Sequence, residues 1–384
     1  MKLLIQPGSG VAPIVKGIQR ARTAVQIMVF RFDRREIENA LVAAANRGVA
    51  VHALIAYTNR GGEQNLRDLE MRLLAAGVTV GRTAGDLVRY HAKVMIIDNR
   101  ELYVLGFNFS FMDIERSRSF GVITTNAKFV REAVKLFDAD AKRQTYEPGC
   151  AAFVVSPQNA RQQLAAFIEG AKRELLIYDP KVADPQMIRL LEARAAAGVK
   201  IKILGRMTRT NEQIPVRKLS QIRLHTRSMV RDGKLVFVGS QSLRTAELDA
   251  RREVGIIFSD TKLASQLLKV FEGDWMAIEG VKQDAAKEEG APAAHGAKKV
   301  AKKIAKAVIK SLLPAGSGLS GIVNDAVGTD AASRIDIAEL EQTVRETVVE
   351  AVKTMVQGAV DEKVVAKVDE KVVAKSEAEA QPAA

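Results

Sequence analysis

Apolar and polar positions follow helical and strand periods in turn along the first 282 residues, and the same order is written twice. KGIQRARTAVQIMVF (16–30) reads as a helix running into a strand, and REIENALVAAANRGVAVHALI (35–55) as a helix, a glycine stop and a second strand. LAAFIEGAKRELLIYD (164–179) and PQMIRLLEARAAAGVKIKILG (185–205) repeat that order, with AAANRGVAVHALI echoed by ARAAAGVKIKILG. Helices alternating with apolar strands predict an α/β fold of two duplicated lobes, each a mixed β-sheet flanked by helices. The first copy carries an extra amphipathic helix, NLRDLEMRLLAAGV (65–78). A break falls at TYEPGC (145–150), where Pro and Gly interrupt the helical run REAVKLFDADAKR. The expected domains are a lobe at 1–148, a second lobe at 149–282 and a helical, partly disordered tail at 283–384.

The tail changes character. KQDAAKEEGAPAAHGA (282–297) is rich in alanine and charge and reads as a flexible linker. In KKVAKKIAKAVIKSLLP (298–314), Val300, Ile304, Val308 and Leu312 recur on one helical face and Lys298, Lys302, Lys306 and Lys310 on another. That is a basic amphipathic helix, suited either to an anionic membrane surface or to packing on the protein's own body. A second helix, RIDIAELEQTVRETVVEAVKTMVQ (334–357), offers Ile337, Leu340, Val344, Val348 and Met355 as a packing or self-association face. VDEKVVAK is then repeated at 360–367 and 368–375, a low-complexity end with no chemical role assigned.

Composition narrows the partners. The net charge is +13, yet residues 283–384 hold 14 basic against 16 acidic side chains, so the whole excess sits on the two lobes. A basic body favours a polyanionic partner, an anionic phospholipid membrane or a nucleic acid. The single cysteine, Cys150, excludes an intramolecular disulfide and a zinc cluster of cysteines, which favours the cytoplasm. MKLLIQPGSG has too short an apolar patch for a signal peptide, and no stretch has the roughly 18 uncharged apolar residues of a spanning helix. A monomer, cytoplasmic or peripheral on the inner face of the membrane, is the expectation.

Candidate chemistry lies in two stretches, RYHAKVMIIDNRELYVLGFN (89–108) and LHTRSMVRDGKLVFVGSQS (224–242). Each reads as a hairpin. With Asp98 facing Glu101, His91 falls opposite Asn108 and Lys93 opposite Gly106; the second copy sets His225 opposite Ser242 and Arg227 opposite Ser240. Histidine and cation, two residues apart, share a face in each copy. Asp98 and Asp232 sit where a turn alone would place an aspartate.

HAKVMIID and HTRSMVRD resemble the paired HxKxxxxD motifs of the phospholipase D superfamily, each followed by the family's small-residue and Asn/Ser element, here LGFN and GSQS. The resemblance covers about residues 10–280 and is strengthened by the duplication. It implies a phosphodiesterase or phosphatidyltransferase, cardiolipin synthase-like, acting on phospholipids through a phosphohistidine, with no metal and no cofactor. His91 would be nucleophile and His225 general acid and base, with Lys93, Arg227, Asp98 and Asp232 completing the catalytic set. Asn108, Ser110, Ser240 and Ser242 would hold the substrate phosphate. The sequence departs from the family pattern at Arg227, where lysine is usual, and at Ser242, where asparagine is usual. Glu253 matches the glutamate that supports a motif histidine, whereas the first copy has Ser119 there, which leaves His91 without that support unless Glu115 supplies it. A nuclease of the same superfamily and a non-catalytic membrane- or phosphate-binding scaffold stand as alternatives.

Overall fold

The computed structural model describes residues 1–57, 63–209, 211–219 and 221–288. The expected helices at 298–314 and 334–357 and the VDEKVVAK repeats lie outside the described residues. The chain divides into two compact units, Met1–Glu279 and Gly280–Ala384. Among the described residues, no helix is long and apolar enough to cross a membrane.

The first copy runs β1 (Lys2–Gln6), α1 (Ala12–Arg20), β2 (Ala24–Val29), α2 (Arg35–Asn46), β3 (Ala50–Ile55), α3 (Glu63–Ala75), β4 (Thr79–Arg82), β5 (Arg89–Tyr90), β6 (Val94–Ile97), β7 (Glu101–Leu105), α4 (Phe111–Glu115), β8 (Ser117–Thr124) and α5 (Ala127–Ala141). The second runs β9 (Phe153–Val155), α6 (Ala160–Glu169), β10 (Glu174–Val182), α7 (Pro185–Ala196), β11 (Lys200–Met207), β12 (Val216–Arg217), β13 (Arg223–Leu224), β14 (Arg227–Arg231), β15 (Leu235–Gly239), α8 (Thr245–Asp249), β16 (Arg251–Arg252), β17 (Val254–Ser259) and α9 (Thr261–Glu288). The first sheet has the order β1-β8-β7-β6-β2-β3-β4 and the second, written from the matching edge, β9-β17-β15-β14-β10-β11-β12, so the two copies share one strand order. Both are mixed: β2 and β3 pair in parallel, as do β10 and β11, while the hairpins β6–β7 and β14–β15 are antiparallel. This is the predicted α/β duplication.

Side-chain alternation explains why the motif strands are apolar throughout. In β6, Val94 and Ile96 join one core with Val230, Val236 and Ile256 of the second sheet, while Met95 and Ile97 face the other way onto α1 and α2. A strand with both faces covered has no solvent side to leave polar. The shared central core also takes in Phe129, Leu136 and Phe137 of α5 and Leu267 and Phe271 of α9. Gly106 is required where the copies touch: a Cβ there would lie 2.9 Å from the Phe120 carbonyl oxygen and 3.0 Å from that of Gly239.

The hairpin registers correct the expected ones by one residue. Ile97 pairs with Glu101 and Val94 with Val104, so three residues turn the first hairpin, not two. In the second hairpin Arg231 pairs with Leu235 and Arg227 with Gly239, not with Ser240. Lys93 accordingly faces Leu105, whose N–H donates to its carbonyl. The cause is the aspartate. Asp98 and Asp232 leave the ladder in the left-handed region, at φ 52° and 51°. From there the Asp98 carboxylate accepts the N–H groups of Arg22, Thr23 and Ala24 at the start of β2, and Asp232 those of Lys172, Arg173 and Glu174 at the start of β10.

Candidate active site

The histidines are held at the ends of their hairpins remote from the turns, and each is anchored by the opposite copy. The N–H of His91 donates to the carbonyl of Arg252 at 2.8 Å, and that of His225 donates to the carbonyl of Arg118 at 3.1 Å. Short parallel pairings carry these bonds: β5 runs beside β16, and β13 joins the first sheet beside β8. A constant offset of 134 residues relates the two copies here, taking His91 to His225, Lys93 to Arg227, Asn108 to Ser242 and Ser119 to Glu253. The cations obey the same symmetry. Lys93 Nζ donates to the His91 carbonyl at 2.6 Å and Arg227 Nη1 to the His225 carbonyl at 3.1 Å.

The carboxylates do not obey it. Glu253 Oε2 lies 2.8 Å from His91 Nδ1, with both side chains buried. The expectation that His91 lacks a supporting carboxylate is thus corrected: the support crosses from the second copy. Glu115, the suggested substitute, instead pairs with Arg34. Ser119, in the place equivalent to Glu253, offers His225 no carboxylate, and its buried hydroxyl has no hydrogen-bond partner among the described residues. Asp113 of α4 fills that place, its Oδ2 standing 3.0 Å from His225 Nε2. The pair is close but not aligned as a hydrogen bond. Arg223 closes the group, its Nη1 donating to Asp113 Oδ1 at 2.6 Å and to Ser117 Oγ, and its Nη2 lying 3.1 Å from His225 Nδ1.

These contacts assign the protons. A carboxylate only accepts, so His91 carries its hydrogen on Nδ1 and keeps a lone pair on Nε2, which makes no hydrogen bond among the described residues. A guanidinium only donates, so His225 Nδ1 accepts from Arg223 and the hydrogen sits on Nε2, toward Asp113. Burial pushes His91 well below the ordinary histidine range, and the charges of Lys93, Arg227 and His225 add to the shift. Burial likewise lowers His225 to about 4, with Arg227 and Arg223 assisting and Asp113 opposing. Burial would raise Asp113, but His225 and Arg223 outweigh it and hold the carboxyl below its usual range. Burial lowers the Lys93 ammonium and raises the Glu253 carboxyl.

The remaining predicted residues divide. Asn108 donates from its N–H and side-chain amide to Asp113 Oδ2 at 2.9 and 2.6 Å, which leaves its buried Oδ1 without a partner among the described residues. Ser242 mirrors it, donating its N–H to Glu247 Oε2 at 2.7 Å and accepting from Arg227 Nε at 3.1 Å. Ser110 precedes α4, and its carbonyl accepts the N–H of Ile114. Ser240 is spent on the backbone, its hydroxyl accepting the N–H of Val254 at 3.1 Å. Asp98 and Asp232 are not brought to the histidines; they sit at the far turns as backbone acceptors, and the amides of Ala24, Thr23 and Arg22 outweigh burial to lower Asp98 to about 2. Sequence reasoning missed Asp113, Glu247 and Arg223. A signal existed: an acid follows Asn108 and Ser242 by five residues in both copies, and an arginine precedes each histidine by two. Among the described residues, no cluster of His, Cys, Asp or Glu could hold a metal ion.

Residues 14–141 and 164–275 match the family described as the cardiolipin synthase PLD-like domain. A polyphosphate kinase of Yersinia pestis is 26% identical over 281 residues, 65% of this chain but only 40% of that protein's length. The crystal structure of the Porphyromonas gingivalis polyphosphate kinase superposes with a TM-score of 0.61 at 20% identity, over 71% of this chain and 50% of that one. The phosphatidylserine synthase of Haemophilus influenzae Rd KW20 gives a TM-score of 0.52 at 11% identity, over 71% of this chain and 85% of that one.

Proposed function

Because the chain belongs to the cardiolipin synthase PLD-like domain family of the phospholipase D superfamily, we propose that it transfers or hydrolyses a phosphodiester through a covalent phosphohistidine on His91. The observation that carries this reading is the Glu253–His91 bond, which fixes a neutral imidazole with its Nε2 lone pair unused. The lone pair attacks phosphorus, a P–N bond forms, and the P–O bond to the leaving group breaks. A protonated His225 gives its proton to the departing oxygen. In the second half an alcohol or water gives its proton to His225 and attacks phosphorus, and the P–N bond breaks.

Protonation of His225 follows from its surroundings. Burial and the Arg227 and Arg223 charges hold it near 4; a phosphate anion offsets those cations and, by drawing the partly exposed Arg223 guanidinium off Nδ1, frees the ring nitrogen that takes and gives the proton. Asp113 stands ready to stabilise the imidazolium. Lys93, Arg227 and the Asn108 amide are the groups we assign to the non-bridging oxygens. Arg227 in place of lysine keeps its charge and is already braced by Ser242 and the His225 carbonyl, so it acts as a fixed fork.

A phospholipid is the substrate we favour. The cations around the histidines, Lys93, Arg223, Arg227, Arg244 and Arg251, meet the carboxylates of Asp113, Glu247 and Glu253, a surplus of two positive charges. That suits a singly charged diester better than a polyanion. The likeness to polyphosphate kinases favours a second reading, phosphoryl transfer from polyphosphate through the same histidine. The test is brief incubation with radiolabelled phosphatidylglycerol, polyphosphate or single-stranded DNA, an alkaline quench and detection of acid-labile label on His91. Label from the lipid, absent in His91→Asn, is expected. Label from polyphosphate alone would select the second reading, and none from any donor would leave a phosphate-binding scaffold.

A further inference from the structure

Helices α4 and α8 are equivalent under the 134-residue offset, and their inner faces do the same work. Asp113 and Glu247 accept the N–H of Asn108 and Ser242, while Ile114 and Leu248 are fully buried beneath them. Their outer positions differ. Thr245 and Ala246 lead α8, but the corresponding residues of α4 are Phe111 and Met112, 45% and 50% exposed. Since the second copy builds this helix without large apolar side chains, the fold does not require them in the first.

The placement of α4 gives them a use. Its first N–H, on Phe111, donates to Asp33, and Phe109 bridges to Phe32, which ties the helix to the segment leaving β2. That end of β2 pairs with the start of β6, beside Lys93 and His91. Tyr57, leaving β3 at the same end, is 53% exposed. Arg34 and Arg116 each lie 5.7 Å from the centre of the Phe111 ring. Arg34 is held by two acids, Glu36 and Glu115, with its side chain only 11% exposed, whereas Arg116 is exposed; Asp33 accepts from the backbone. A protruding aromatic and thioether, bordered by the exposed Arg116 whose head can stay in water, is an edge made to enter an anionic bilayer.

We propose that Phe111 and Met112 form a membrane-docking edge that seats the His91 site on an anionic lipid surface. This rests on the phospholipid reading for its purpose, though binding can be measured without turnover. Phe111 and Met112 enter the acyl region, and Arg116 meets a lipid phosphate at its border. A nucleic-acid surface would instead present several aromatics along a basic groove.

The test is cosedimentation of the full chain with phosphatidylcholine–phosphatidylglycerol vesicles and with phosphatidylcholine vesicles alone. Phe111→Thr with Met112→Ala installs the residues of the second copy, which that copy shows to be compatible with the helix. A fall of about tenfold in partition to the anionic vesicles is expected. Because the tail could also bind lipid, Phe111→Trp supplies an independent reading: its emission should be quenched by brominated acyl chains. An unquenched Trp at 111, or loss of single-stranded DNA binding in the double variant with vesicle binding retained, would overturn the proposal. Vesicle binding lost in the double variant while wild type forms no phosphohistidine would sink the catalytic reading and leave the docking edge standing.

Discussion

Glu253 and Asp113 give two equivalent histidines different tautomers, and so different capacities. Glu253→Gln replaces an acceptor that has no choice of direction by an amide that can also donate, so Nδ1–H is no longer enforced on His91. We expect phosphohistidine formation to slow by up to about 10⁴-fold, the loss seen when a catalytic histidine loses its orienting carboxylate, with circular dichroism unchanged; rapid-quench labelling measures it. His225 makes a prediction about pH. Its folded value of about 4 lies below the ordinary 6.5, so the unfolded chain binds the extra proton between those values. Its contribution to stability is complete above pH 6.5 and is lost as pH falls toward 4. His225→Gln should remove up to ~3 kcal/mol of that slope, read from urea midpoints across the window. Asp179, raised by burial to about 6, contributes the opposite slope in the same range and is common to both proteins.

The motif aspartates belong to the architecture of the hairpin. Asp98 and Asp232 each gather three successive backbone N–H groups at the start of a central strand, groups that have no ladder partner there. Asp98→Ala should cost about 2 kcal/mol or more, since several donors lose one acceptor. Label on His91 at saturating substrate should be unchanged once the variant is folded. Reading the turn aspartate as catalytic followed the motif spacing; in space that spacing is the length of one strand, which separates the two ends. The one-residue register error had the same origin. Residue types alone give a two-residue turn, because they do not carry the pull of a carboxylate whose partners lie some 75 residues upstream.

The two copies share one central core and exchange strands, so they should unfold together. Gly106 is a point of close approach, and the atoms that would meet a new Cβ are carbonyl oxygens of Phe120 and Gly239, which cannot rotate away. Gly106→Ala should destabilise by about 1–3 kcal/mol in a single cooperative transition, seen by calorimetry, and should depress labelling by shifting the histidines apart. Arg252 supports the same joint, pairing with Asp140 through two bonds of 2.9 and 2.8 Å within the buried interior.

Much was legible along the chain because it depends on neighbours. Helix and strand periods, the duplication, and the pairing of His91 with Lys93 and His225 with Arg227 all lie within a few residues and survive in one dimension. Partners across the duplication do not. Glu253 reaches His91 over 162 positions, and Asp113 reaches His225 over 112. An internal repeat shows which residues correspond, but it cannot show that each copy completes the other. That follows only once two sheets bury one common core, because the packing that excludes water from the imidazoles is also what brings a carboxylate from the opposite copy against each of them.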